Sequence, residues 1–147
     1  MKPEVDKVLL GFSDTLIEKI MPHVGMEYVQ RDVTLLSLAL MASAEEYDRA
    51  ADIRFSENKD MREIFAAVAE RIEGDLGVRL KEAGRSSDRS LRISALNDEN
   101  VPLRKLLIEL HAFVEESNDD WAPEIDALIW KALHDSTQRR ALSFFPF

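Results

Sequence analysis

Five charged residues fall within eight positions of the chain: Glu45, Glu46, Asp48, Arg49 and Asp52. On a helix, Glu46 has Ala39, Ala42, Ala50 and Ile53 as its neighbours one and two turns away, and all four are apolar. A carboxylate set in an apolar stripe must be paired, hydrogen-bonded, metal-bound or protonated, because an isolated buried charge is too costly. Arg49 stands three residues after Glu46 and four after Glu45, the spacing of an intrahelical ion pair. Two other chemistries are open to the same group. The carboxylates can close a polar ligand pocket inside a bundle, or they can hold a metal ion together with His111. The small residues around them (Ala39, Ala42, Ser43, Ala44, Ala50 and Ala51) either admit a close helix or leave room for a ligand.

The histidines restrict the metal reading. A di-iron helical bundle needs Glu-x-x-His, because residues three apart share a helix face. Three positions before His23, His111 and His134 stand Ile20, Ile108 and Lys131, so that motif is absent. A site shared by His111 and His134 across facing helices is the arrangement left open. There is no cysteine, which removes thiolate ligands, cysteine nucleophiles and disulfides. No phosphate loop, dinucleotide fingerprint, nucleophile elbow or zinc-protease motif occurs. Gly74-Asp75-Leu76-Gly77 has the outline of a nucleic-acid backbone clamp, but it lacks flanking strands. Two glycines loosening a helix near its end is the expectation there. With no nucleophile paired to a base, the chain reads as non-catalytic and without a cofactor.

Charge gives a second set of candidates. The chain has 28 acids and 19 bases, a formal net charge of −9, which disfavours nucleic acid as a partner. The excess is uneven. From Arg79 to Arg92 there are five bases and two acids; from Asn97 to Gln138 there are ten acids and three bases. Both stretches suit solvated surfaces. The sharper expectation is that Arg85, Arg89 and Arg92 contact an acidic partner face or an anionic ligand. The C-terminal Phe144, Phe145 and Phe147 form a third candidate. Aromatics of this size bury roughly 150–250 Å² each, so the tail is expected to dock on this chain's own core or on a partner subunit.

The elements that must position these residues are helices. Apolar residues recur at three and four, and no sustained alternation suggests a strand. A first helix is expected from Pro3 to Met21, with Val5, Leu9, Phe12, Leu16 and Ile20 on one face, ended by Pro22 and Gly25. A second begins near Arg31-Asp32 and carries two stripes, one through Val33, Leu36, Leu40, Ala44 and Tyr47. Ser56-Glu57-Asn58-Lys59-Asp60 reads as a helix stop followed by a new cap, although no residue in it forbids helix. A third helix then carries Met61, Ile64, Phe65, Val68, Ile72 and Leu76. Residues 83–100 form an irregular basic connection. Pro102 opens a fourth helix whose inner face is Leu103, Leu106, Leu107, Leu110, Phe113 and Val114. Pro123 opens a fifth, to about Arg140, with Ile125, Leu128, Ile129, Ala132 and Leu133 inward.

The fold expected over residues 1–147 is therefore all-α: a single domain forming an antiparallel up-and-down bundle of four to five helices, ending in a tail at 141–147. No apolar run approaches the ~20 residues of a membrane span, and Met1-Lys2-Pro3-Glu4-Val5-Asp6 is unlike a signal peptide, so a cytoplasmic location is the default. The expected role is that of a non-catalytic interaction or regulatory domain, self-associating as a homodimer. The alternative is a bundle that binds a small molecule or a metal through the Glu45–Asp52 cluster, with His111 or His134 nearby.

Overall fold

The computed structural model describes residues 3–144. They form an all-α bundle with five α-helices, as the spacing of apolar residues predicts. The helices are α1 (Val5–Thr15), α2 (Glu27–Val68), α3 (Gly74–Arg85), α4 (Ile93–Glu116) and α5 (Ala122–Arg140). Between α1 and α2 the chain widens into a π-helical turn, Leu16–Ile20, then tightens into a 3₁₀ turn, Met21–His23, around Pro22. Two compact units result. The first comprises residues up to Ala50 together with the segment from Leu142. The second runs from Ala51 to Ala141.

The second unit holds the apolar core. Phe65, Leu80, Leu96, Leu110, Ile125 and Ile129 are fully buried. Each contributes roughly 1.5–3 kcal/mol from removing its side chain from water. Met61, Ile64, Val68 and Ile72 join them, with Leu103, Leu106, Leu107 and Val114 from α4. These are residues that the helical periodicity places inward. Phe113 and Leu128, expected inward, are exposed instead.

Several boundaries differ from expectation: α1 ends at Thr15, before Met21, and α2 starts at Glu27, before Arg31-Asp32. The break expected at residues 56–60 does not occur, and α2 continues through them for 42 residues in all, about 63 Å of helix. Glu57 and Asn58 are buried there, with hydrogen-bond partners supplied by other elements of the second unit. Side chains that would cap a solvated helix end are satisfied by tertiary neighbours. The actual break comes later, after Val68, where the chain turns through residues 69–73 into α3.

Gly74 and Gly77 make that turn. They begin a helix, whereas the expectation had them loosening the end of one. Gly74 has φ +80°, a left-handed conformation that side chains disfavour. A Cβ on Gly77 would lie 1.8 Å from the Ile72 carbonyl oxygen, so only glycine lets the first turn of α3 close against the preceding chain.

The irregular connection is also shorter than residues 83–100. Helix α3 reaches Arg85 and α4 starts at Ile93, so Pro102 lies inside α4 and does not open it. Its ring forfeits the bond to the carbonyl of Asp98, and both residues are exposed, so water can serve that oxygen. Asn100, expected near a cap, is buried within the helix.

The first unit is built differently. On α1 and the π-helical turn after it, not one of the expected inward residues Val5, Leu9, Phe12, Leu16 and Ile20 is buried. The buried residues of this unit are Ser13, Val33, Ser37, Ala44 and Ala50. Where α1 meets α2, Ser13 Oγ and Ser37 Oγ share a hydrogen bond of 2.6 Å.

Candidate functional site

The cluster read from the sequence divides between the two units. Glu45, Glu46, Asp48 and Arg49 belong to the first, Asp52, His111 and His134 to the second. Glu45 Oε1 pairs with Arg49 Nη1 at 2.9 Å, the intrahelical bridge that the spacing offers. The same carboxylate accepts the Ser143 backbone N–H at 3.0 Å and the Ser143 hydroxyl at 2.9 Å. It thus ties the C-terminal segment to α2. Glu46 is half-buried, while Asp48 and Asp52 are exposed. A cavity of about 330 Å³ opens beside Glu45 and Asp48, walled by Asp6, Leu10, Met41 and Phe144. Phe144 is half-buried; Phe145 and Phe147, the rest of the expected tail, lie outside the described residues.

His111 is engaged by α5. Its Nε2 lies 3.0 Å from Asp126 Oδ1 and 3.6 Å from Glu115 Oε1. Its ring meets Trp130 edge-on at 5.4 Å. His134 is exposed and is not among these partners. Among the described residues, no group of three or more His, Asp or Glu side chains stands close enough to hold a metal ion.

Arg85, Arg89 and Arg92 are all exposed around the α3–α4 connection. Arg89 reaches Glu99 only at 3.7 Å with its side chain almost fully in water, an arrangement worth little. The connection is held by Asp88 instead. That buried carboxylate accepts Asn58 Nδ2 at 2.8 Å and Arg62 Nη2 at 2.9 Å, while Arg62 Nε donates to Ser86.

Asn58 joins this group to a larger one that sequence reasoning missed. Asn58 Nδ2 also donates to the Leu96 carbonyl, and its Oδ1 accepts Asn100 Nδ2 at 2.8 Å. Glu57, only 3% exposed, lies one residue away. Arg140 grips it with both ends of its fork, Nε to Oε1 at 2.6 Å and Nη2 to Oε2 at 2.7 Å. Arg104 Nη2 adds a bond to Oε2 at 3.1 Å, and the Ser136 hydroxyl donates to Oε1 at 2.6 Å. Burial pushes the Glu57 carboxyl upward. The bonds from Arg140, Ser136 and Arg104 and the charge of Arg140 outweigh that, and its pKa falls to about 2. Glu57 is a fixed anion, not a proton donor or base near neutral pH.

A signal for Glu57 was present. One and two helical turns away stand Ala50, Ile53, Met61 and Ile64, all apolar and all buried. The criterion that selects Glu46 selects Glu57 with larger neighbours. The expected helix break at 56–60 hid it. Its partners Arg104 and Arg140 are 47 and 83 residues away, and no local pattern links them.

Among the described residues, no helix is long and apolar enough to cross a membrane. Comparison with known proteins gives no matching family model, no matching curated protein and no matching solved structure.

Proposed function

We propose that the chain is a non-catalytic interaction or regulatory module that works as a homodimer, with the first unit as its contact surface. The observation that carries this reading is the apolar face left in water there. Phe12 on α1 is 58% exposed, and Leu35 and Leu36 on α2 are 63% and 57% exposed. Val5, Ile20, Met26, Tyr28 and Tyr47 are exposed as well. So many large apolar side chains left in water within one unit support an interaction surface there. Two such hairpins joined by a two-fold axis complete a four-helix arrangement, in which each subunit buries the same stripe on the other.

Mass measurement in solution tests this directly. The expected mass is that of a dimer, shifting to monomer in a Phe12→Glu, Leu35→Glu variant. Trp121 and Trp130 both lie in the second unit, so their unchanged fluorescence would show that this unit remains folded. A wild-type chain that runs as a monomer at micromolar concentration refutes the reading.

The cavity beside Glu45 and Asp48 supports a second reading, a small-molecule site in the first unit. Three carboxylates with Leu10, Met41 and Phe144 suit a cationic amphiphile. Raised stability of the wild type, but not of an Asp48→Asn variant, on adding an alkylamine would support it.

A further inference from the structure

A different cavity, in the second unit, lies beside the Glu57 network. It measures about 200 Å³, and its apolar walls come from three helices: Met61 on α2, Leu107 and Ile108 on α4, Ala132 and Leu133 on α5. From these walls and from a polar edge that is already satisfied, we propose that it is a binding site for a small neutral apolar molecule, a ring or short branched chain of about toluene's size. Every wall lies within the second unit, so this reading does not rest on dimerisation.

Size and walls set the body of the ligand. A cavity of about 150 Å³ lined by aliphatic side chains stays dry and accepts benzene, so a somewhat larger one takes a ring with a short substituent. The walls give such a body dispersion contacts and remove it from water. Ala132 is the smallest of the apolar wall residues, so α5 fills less of this space than a larger residue there would. Ile108 lines the cavity and is 69% exposed, so the cavity reaches solvent along α4.

Charge is decided by the polar edge, which is formed by Glu57, Asp60, Arg104 and Ser136. These residues are bound within the unit. Glu57 accepts from Arg140 and Arg104, and from the Ser136 hydroxyl at 2.6 Å. Asp60 pairs with Arg139 at 2.6 Å. Arg104 donates to Asn100 at 2.8 Å as well as to Glu57 at 3.1 Å. A cation or an anion entering the cavity would compete with these bonds, and breaking one leaves a charge without its partner. A hydrocarbon body competes with none of them. For the same reason the cavity offers ordered water few partners, and little is lost when a ligand displaces it.

The probes are para-fluorotoluene and para-fluorobenzoate, which share a ring and differ in charge. Each is titrated into the full chain. Binding is read from fluorine NMR line broadening and from thermal melting of the second unit, followed by Trp121 and Trp130 fluorescence. The neutral ring is expected to broaden and to raise the melting temperature, by mass action on the folded state. The carboxylate is expected to bind at least roughly tenfold more weakly. Ala132→Phe fills the cavity from α5 and should abolish binding of the neutral ring. Because a large side chain there can disturb packing, a second variant guards the test. Ile108→Asn alters an exposed residue and removes part of an apolar wall; binding should weaken about fourfold, the equivalent of one buried methylene. Binding in the first unit would be untouched by either substitution. No binding of para-fluorotoluene to the wild type overturns the proposal. So does a carboxylate that binds as tightly as the neutral ring, or binding that neither substitution weakens.

Discussion

Replacing Glu57 with Gln keeps the side chain's size and removes its charge. The two guanidinium groups that converge on it, Arg104 and Arg140, then lose the anion they share. The cost follows from the carboxyl's displacement from its ordinary value of 4.5 to about 2. At 1.36 kcal/mol for each tenfold change in the proton equilibrium, the ionised network contributes about 3 kcal/mol. Removing one partner of a buried pair costs about 3–5 kcal/mol by direct comparison, so the two routes agree. The sign with pH is definite. A carboxyl whose pKa is depressed by folding stabilises the folded state fully above the unfolded value of 4.5. That stability drains away as pH falls toward about 2. Urea unfolding followed by Trp121 and Trp130 fluorescence reads the second unit. At neutral pH the Glu57→Gln variant is expected to lose about 3 kcal/mol. The gap from wild type should narrow steadily below pH 4.5. A variant within 1 kcal/mol of wild type at neutral pH, or a gap that ignores pH, would refute the reasoning.

Two further substitutions probe how the second unit is assembled. Asn58→Ala removes three bonds at a fully buried position, to Asp88, the Leu96 carbonyl and Asn100. A loss of about 2–3 kcal/mol is expected, together with faster amide exchange in residues 86–92, read by mass spectrometry. Gly77→Ala puts a methyl group into the Ile72 carbonyl oxygen, and backbone must move to admit it. Thermal melting should show a loss of about 1–3 kcal/mol, whereas Gly11→Ala, where a Cβ meets nothing within 4 Å, should raise stability slightly.

The helices were legible because burial imposes the 3.6-residue period on whichever residues face a core. Leu103, Leu106, Leu107 and Leu110 on α4, and Ile125 and Ile129 on α5, sit where that period puts them. The same logic placed Val5, Phe12 and Ile20 inward on the first helix expected, and they are exposed. Periodicity identifies a face that is apolar; it does not say that this chain covers it. The polar network was harder to read. Ser56–Asp60 carries cap-forming side chains, and local chemistry cannot tell whether such groups end a helix or meet partners from distant segments. For Glu57 those partners are Arg104 and Arg140, brought in only when α4 and α5 fold back. Glu45, by contrast, found Arg49 at four residues, a distance the helix itself sets. Its bond to Ser143, 98 residues on, was invisible for the same reason as the Glu57 network.

The hydroxyl pair that joins Ser13 to Ser37 acts as an alignment pin. A greasy seam between two helices tolerates sliding, since one aliphatic contact exchanges for another at little cost. Two hydroxyls meeting at 2.6 Å do not. Shift α1 along α2 by one residue and both lose their buried partner, at about 1–3 kcal/mol for each group left unsatisfied. The hairpin therefore gives up hydrophobic volume at its crossing in exchange for a single register. Each exposed apolar residue on it is presented at a fixed height and angle.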